Sequence, residues 1–95
     1  MNASVAIQVL PKTEDEKVIE IVDKVIEFIK SFGLKTQVSA FETTVEGDYD
    51  VLMDIVKQAS LICIKEGAPS VMTYVKVHFC PHGVWTIEEK TKKHE

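Results

Sequence analysis

The sequence lacks the features that mark several large classes of protein. It has 95 residues and a net charge of −4, and its only basic run is the tail that contains Lys90, Lys92 and Lys93. Nucleic-acid binding needs a basic face, so this charge argues against it. No apolar run is long enough to cross a membrane, and no signal peptide is evident. These absences predict a protein with neither a nucleic-acid nor a membrane partner.

Cysteine is scarce, and its two copies, Cys63 and Cys80, lie far apart in the sequence. Cys63 falls within a strongly apolar helical pattern, where a thiol is most simply a small buried hydrophobe. Without closely spaced cysteines, the chain is expected to be a reduced, cytoplasmic protein.

What the sequence does contain is typical of a small globular protein. Hydrophobic residues make up 45% and charged residues 27% of the chain. A chain of this length buries roughly 60–65% of its unfolded surface, which allows one modest core. We therefore expect residues 1–95 to form a single domain.

Two segments have the apolar periodicity of helices. In the first, Thr13 and Glu16 predict a capping box, and Gly33 predicts the helix end. Its expected core face is Val18, Val22, Val25, Ile26, Ile29 and Phe32. In the second, Asp48 is the expected N-cap, and residues 67–69 should end the helix. Its expected core face is Leu52, Ile55, Val56, Ala59, Ile62 and Cys63.

Four extended segments complete the pattern, at residues 4–10, 34–39, 43–46 and 71–78. A second capping box at Thr86–Glu89 predicts a short C-terminal helix. The order is strand, helix, strand, strand, helix, strand. Two right-handed crossovers then place both long helices on one face of a four-stranded antiparallel sheet. The sequence predicts an α+β fold of this kind, the ferredoxin-like βαββαβ plait.

Alternation along the strands assigns side chains to the two faces of this sheet. The face under the helices should carry Val5, Ile7, Val9, Val45, Val71, Val75 and Val77. The other side, here named the open face, should carry Ala6, Gln8, Thr44, Glu46, Met72, Tyr74, Lys76 and His78. Such a mixed surface suits a bare sheet, a subunit contact or a ligand site.

Glu46 is the open-face residue that most needs an explanation, because a carboxylate is costly to bury without a partner. One interpretation is a cross-strand ion pair with Lys76, which would be weak if exposed. The other is a ligand-binding carboxylate on a rigid strand, beside Gln8 and Tyr74. The residue pattern leaves both open.

Three stretches of the chain resemble the YkoF-like family of small thiamine-binding proteins. They read AIQVLP near the start, GLKTQVSAFETTVEGDYD in the middle and GVWTIEEKTKK near the end. The resemblance implies a ferredoxin-like fold, homodimers that often pair into homotetramers, and non-catalytic binding of thiamine or its hydroxymethylpyrimidine moiety near sheet surfaces and subunit contacts. Thr43, Thr44 and Glu46 match the family motif, whereas residues 78–83 depart from the arginine, or tyrosine with glycines, that members commonly carry there.

The chemistry of that ligand fits the residues. A carboxyl group can bridge the ring nitrogen and exocyclic amine of an aminopyrimidine, and the pairing is strong when desolvated. The thiazolium of thiamine is a fixed cation that an aromatic ring such as Phe41 or Tyr74 could cover. The candidate ligand-binding residues are therefore Gln8, Phe41, Thr43, Thr44, Glu46 and Tyr74. No cofactor is predicted.

Three alternatives are weaker. The alternating His78, Cys80 and His82 carry metal-ligand side chains, but Pro81 interrupts the strand and no fourth ligand is evident, so a plain loop is the simpler interpretation. An enzyme is not expected, because there is no Gly-rich phosphate loop and no nucleophile elbow. The third alternative is an assembly module whose open face only pairs subunits. On the second helix, Met53 and Ile64 are expected to be partly buried in a subunit contact.

Overall fold

The computed structural model describes residues 1–92 and residue 94. Its elements are β1 (Ala3–Pro11), α1 (Asp15–Lys30), β2 (Thr36–Val38), β3 (Thr43–Gly47), α2 (Tyr49–Lys65), β4 (Val71–Phe79) and α3 (Ile87–Lys92). The strands form one sheet in the order β2-β3-β1-β4, and every neighbouring pair is antiparallel. The predicted ferredoxin-like plait with a short C-terminal helix is confirmed.

β1 lies at the centre of the sheet because it pairs with two strands at once. Val5 is opposite Val45 of β3 on one side and Val77 of β4 on the other. Alternate β1 residues therefore point into the core, where Val5, Ile7 and Val9 are buried. They pack with the inward faces of α1 and α2 and with Val45.

The start and the core face of α1 differ from the sequence prediction. The N-cap is Glu14 rather than Thr13, and it makes no side-chain capping bond, so the expected capping box is wrong. The chain is still tied to the sheet at residue 12, where the Lys12 N–H donates to the carbonyl of Ser70. The turn into the helix therefore comes one residue later than predicted.

The buried face of α1 is also rotated slightly relative to the face that the sequence predicts. Ile21, Val25 and Ile29 are buried, whereas Phe32 is 39% exposed. Phe32 packs edge-on against the ring of Phe28, with ring centroids 5.2 Å apart, rather than in the core.

α2 follows its prediction closely. Asp48 is the N-cap, but the first amide of the helix, that of Tyr49, is bound by the side-chain oxygen of Asn2 at 2.9 Å. Leu52, Ile55, Ala59 and Cys63 are fully buried, and Val56 and Ile62 pack against them at the margin of the core. No helix among the described residues has the length and apolar character needed to cross a membrane.

β4 departs from the prediction in its burial. Val75 and Val77 lie opposite Ile7 and Val5, on the same side of the sheet as the helices, as expected. They are nevertheless 37% and 44% exposed. β4 is an edge strand, so it has a neighbouring strand on one side only. The predicted face of these valines is therefore right, but at the edge of the sheet they are only partly covered.

Candidate functional site on the open face

The register of the central strands arranges the open face in rows. Glu46, Ser4 and His78 form one row across β3, β1 and β4. Thr44, Ala6 and Lys76 form the next. Directly opposed residues of an antiparallel sheet point to the same side, so this register brings the side chains of each row together.

Glu46 is the buried charged residue of this face, with 8% of its surface exposed. Its Oε2 accepts a hydrogen bond of 2.9 Å from the backbone N–H of Ile87 at the start of α3. A carboxylate that receives a backbone N–H is a charge-assisted acceptor, stronger than a neutral one. Burial of Glu46 is thus supported by a contact within the chain itself.

α3 has its own N-terminal cap, a buried residue and an ion pair to the rest of the chain. Thr86 and Glu89 form the predicted capping box: the Thr86 N–H donates to Glu89 Oε1, and the Glu89 N–H donates to Thr86 Oγ1. Ile87 is buried. Lys35 Nζ lies 3.0 Å from Glu88 Oε1, and this hydrogen bond holds the pKa of the Glu88 carboxyl below its usual value.

Lys76 does not pair with Glu46. Its Nζ lies 3.1 Å from Oε1 of Glu42, a residue just before β3. One of the two interpretations of Glu46 from the sequence, a cross-strand ion pair with Lys76, is therefore wrong. Because the Lys76 side chain is 76% exposed, its pair with Glu42 contributes at most about 1 kcal/mol.

The Glu42–Lys76 pair borders an open depression of about 290 Å³ on this face, which Glu46 does not line. It is lined by Ser4, Ala6, Glu42, Thr44, Lys76, Val77, His78 and Lys90. Its volume is close to the lower limit of small-molecule sites, about 300 Å³. Small side chains on its floor and charged groups around its margin suit a flat polar heterocycle.

Gln8 and Tyr74 face each other in the next part of the open face. Tyr74 is 49% exposed, and its hydroxyl lies 4.0 Å from the sulfur of Met72. Neither residue lines the depression.

The structure places Thr43 and Phe41 away from the depression. Thr43 lies opposite Ile7, so its side chain points to the helix side of the sheet. Phe41 is 80% exposed at the hairpin tip. Both line a cleft of about 90 Å³ between α1 and the hairpin, a volume suited to a few waters.

Of the six candidate ligand-binding residues, Thr44 alone lines the depression. The lining residues that were not candidates are Ser4, Ala6, Glu42, Lys76, Val77, His78 and Lys90. Ser4 and Glu42 could have been found, because they continue the alternation that gives Ala6 on β1 and Thr44 on β3. Lys90 comes from α3, and sequence alone does not indicate where that helix docks.

The metal alternative gains no support from the structure. Among residues 1–92 and 94, no group of three or more His, Cys, Asp or Glu side chains could hold a metal ion. His78 instead belongs to the row that contains Ser4 and Glu46.

The two thiols should differ sharply in reactivity. Cys63 is fully buried, and burial raises the pKa of its thiol, whereas Cys80 is partly exposed at the end of β4. We expect iodoacetamide at neutral pH to label Cys80 of the folded protein, and Cys63 only after denaturation. Mass spectrometry of digested protein checks this, and labelling of Cys63 under native conditions would contradict the described core.

Comparisons with known proteins agree with this architecture. Residues 5–95 match the family described as thiamine-binding protein. The UPF0045 protein CPE1503 of Clostridium perfringens is 47% identical over 93 residues, which cover 98% of this chain and 97% of that relative.

Two solved structures are similar over almost their whole length. A domain of unknown function from Bacillus cereus has a TM-score of 0.90 and 38% identity, covering 100% of this chain and 91% of that one. A Thermotoga maritima protein, described as a candidate for thiamine biosynthesis or salvage, has a TM-score of 0.88 and 34% identity, covering 100% of both chains. This chain belongs to the thiamine-binding protein family.

Proposed function

We propose that the protein binds thiamine, or its hydroxymethylpyrimidine moiety, on the open face without transforming it. The observation that carries the proposal is a buried carboxylate, Glu46, beside a depression of ligand size in a chain of a thiamine-binding family. The whole chain, residues 1–95, would act as one such domain. The matched family is a binding family, which also favours a role without catalysis.

The aminopyrimidine ring is the part of the ligand that the depression suits. Ala6 on the floor leaves room for a flat ring, and Thr44 offers a hydroxyl to a ring nitrogen. Glu46 Oε1 would accept from the exocyclic amine while Oε2 keeps its bond to Ile87. A water-excluded amine–carboxylate contact of this kind is strong and directional.

The thiazolium would extend towards the margin of the depression. Glu42 is the acidic residue of the lining there, and it forms an ion pair with Lys76. Phe41, on the hairpin tip, and Thr43, on the helix side, are not expected to contact a ligand in this position. Gln8 and Tyr74 stay candidates at the far end of the open face.

Self-association is part of the proposal. Met72 and Tyr74 expose apolar surface on the open face, and Ile64 is 47% exposed on α2. A chain of 95 residues has little spare core, so apolar surface of this extent favours a homodimer or homotetramer. A cytoplasmic location, with no nucleic-acid or membrane partner, stays a prediction from the sequence.

A thermal-shift comparison tests the binding proposal. Ligand at about 100 times its Kd stabilises the folded state by about 2.7 kcal/mol, which raises the Tm of a domain this size by about 10–20 °C. We expect thiamine and hydroxymethylpyrimidine to raise the Tm. The thiazole fragment alone, and nicotinamide as an unrelated heterocycle, should leave it unchanged.

The assembly module is the second candidate, favoured by the exposed apolar edge of β4. It predicts that no member of the ligand set changes the Tm, while light scattering still gives a multiple of the 10.7 kDa chain mass. A shift with thiamine or hydroxymethylpyrimidine would exclude it.

A further inference from the structure

The depression on the open face carries more basic than acidic side chains. Lys76, His78 and Lys90 line it, and Glu42 is the acidic residue among the described residues of the lining. The chain as a whole has a net charge of −4, so this local excess of basic groups runs against the overall charge. A concave surface lined by charges of one sign concentrates ligands of the opposite sign. The depression therefore suits an anionic group as well as a pyrimidine ring.

Two of the three basic side chains are not neutralised within the chain. Glu42 is engaged with Lys76, since its Oε1 lies 3.1 Å from the lysine Nζ. In the part of the chain that the structure describes, no carboxylate lies within ion-pair distance of Lys90 or His78. Both groups are therefore free to interact with a ligand in the depression.

Lys90 reaches the depression because α3 begins against Glu46. The N–H of Ile87, the first residue of α3, donates to Glu46 Oε2, and the Ile87 side chain is buried. Lys90 follows three residues later, so it lies on the same face of the helix as Ile87. It is half-buried and lines the depression. The contact between Ile87 and Glu46 thus positions an ammonium group beside the sheet.

Ser4 gives the depression a buried hydroxyl without a partner. Ser4 is 6% exposed and lines the depression. Its hydroxyl has no hydrogen-bond partner among residues 1–92 and 94. A buried polar group normally has such a partner, so this hydroxyl is available to a ligand. His78 lies directly opposite Ser4 on β4, and its imidazole can supply a second donor.

Charge is unevenly distributed across the sheet at this point. Glu46 lies opposite Ser4 on the β3 side, and His78 lies opposite Ser4 on the β4 side. The β3 side therefore offers a carboxylate to an amine. The β4 side, together with Lys90 from α3, offers donors and positive charge to an anion.

We infer that the depression binds the phosphate monoester of hydroxymethylpyrimidine in preference to the free alcohol, an inference that rests on the proposed function. The hydroxymethyl group and the amine are carried by neighbouring carbons of the ring. One ring can therefore present its amine to Glu46 and its phosphate to Lys90, His78 and the hydroxyl of Ser4. A phosphate monoester carries a charge of about −1.5 to −2 at pH 7 and accepts charge-assisted hydrogen bonds through its oxygens.

The same chemistry separates this ester from the phosphate ester of thiamine. In thiamine the methylene next to the pyrimidine bears the thiazolium, and a phosphate would be attached to the far end of the thiazolium ring. With the pyrimidine in the depression, that phosphate lies beyond the side chains of Lys90 and His78. Phosphorylation should therefore strengthen binding of hydroxymethylpyrimidine and leave binding of thiamine nearly unchanged.

Calorimetric titration of the wild-type protein tests this preference. The probes are hydroxymethylpyrimidine, its phosphate monoester, inorganic phosphate, thiamine and thiamine monophosphate. A partly exposed charge contact changes Kd by up to about fivefold, so two such contacts should make the monoester bind at least about tenfold more tightly than the alcohol. Added salt should reduce this advantage, because it screens charge interactions at an open site. Inorganic phosphate, which lacks the ring, should bind far more weakly than the monoester.

Two substitutions test which side chains carry the preference. Lys90→Met removes the ammonium group and keeps most of the apolar stem, and His78→Gln keeps a donor without the imidazole. Each should reduce the advantage of the monoester over the alcohol by about threefold to fivefold. Lys92→Met removes the same charge from an exposed position on α3 that does not line the depression, so it should leave the advantage unchanged.

The possible failures are distinguishable. Equal affinity for the alcohol and the monoester would overturn the inference and leave the proposed function intact, whereas no binding of either would overturn both. Inorganic phosphate that binds as tightly as the monoester would assign the site to free phosphate instead. A preference that persists in both Lys90→Met and His78→Gln would overturn the location. If one of these variants fails to fold, the other decides.

Discussion

Replacing Glu46 with glutamine is expected to lower the affinity for hydroxymethylpyrimidine by about ten- to over a hundredfold. A buried hydrogen bond to a charged group is worth about 1.5–3 kcal/mol, which corresponds to that range of Kd. Glutamine removes the charge and presents one carbonyl oxygen instead of two carboxylate oxygens. That oxygen cannot serve both the Ile87 N–H and the amine of the ligand at full strength. Calorimetric titration of the wild type and the variant measures the difference.

The stability of the unliganded protein separates this role from a purely structural one. Glu46→Gln retains an acceptor for Ile87, so the free energy of unfolding should change by less than about 1 kcal/mol. Glu46→Ala leaves no acceptor and should lose about 1–3 kcal/mol, together with ligand affinity. Glu16→Gln removes the same charge from the exposed first turn of α1 and is the matched control. A Glu46→Gln protein that is strongly destabilised yet binds with wild-type affinity would show that Glu46 only holds α3.

Removing residues 85–95 is expected to destabilise the protein by at least about 2 kcal/mol, a fall of about 8–16 °C in Tm. Burial of an isoleucine side chain contributes about 1.5–3 kcal/mol, and Ile87 is buried. The same deletion leaves Glu46 without the backbone N–H that it binds. Thermal unfolding followed by circular dichroism measures the change.

Two single substitutions separate the contribution of the Ile87 side chain to that loss of stability from the contribution of the Glu88 ion pair. Ile87→Ala keeps the backbone N–H but loses the apolar side chain, so it should account for most of the loss in stability. Glu88→Gln breaks only the exposed pair with Lys35 and should change the free energy of unfolding by less than about 1 kcal/mol. An unchanged Tm after the deletion would mean that α3 does not dock on the open face.

Local patterns were sufficient to predict the fold. Alternation in β1 and β4, the apolar face of α2 and the Thr86–Glu89 capping box all depend on residues near one another in the sequence. The capping box at Thr13 failed because a long-range contact, between Lys12 and Ser70, keeps the chain in the sheet. Similarly, the exposure of Val77 depends on its place in an edge strand.

The site could be predicted only in part, because its contacts cross the fold. The alternation of β3 placed Thr44 and Glu46 on one face correctly, since side-chain direction is a local property. The family resemblance grouped Thr43 with them, although adjacent strand residues point to opposite sides. The bond from Ile87 to Glu46 joins residues 41 positions apart, and no spacing rule within one strand reveals it.

Calorimetric titration of the wild-type protein with hydroxymethylpyrimidine and with thiamine tests the central claim most directly. We expect saturable binding of both ligands, with the same number of sites per chain, because the shared aminopyrimidine would occupy the same depression. The thiazole fragment should compete with neither. Absence of saturable heat for both ligands at several temperatures, with protein that is folded by circular dichroism, would contradict the claim.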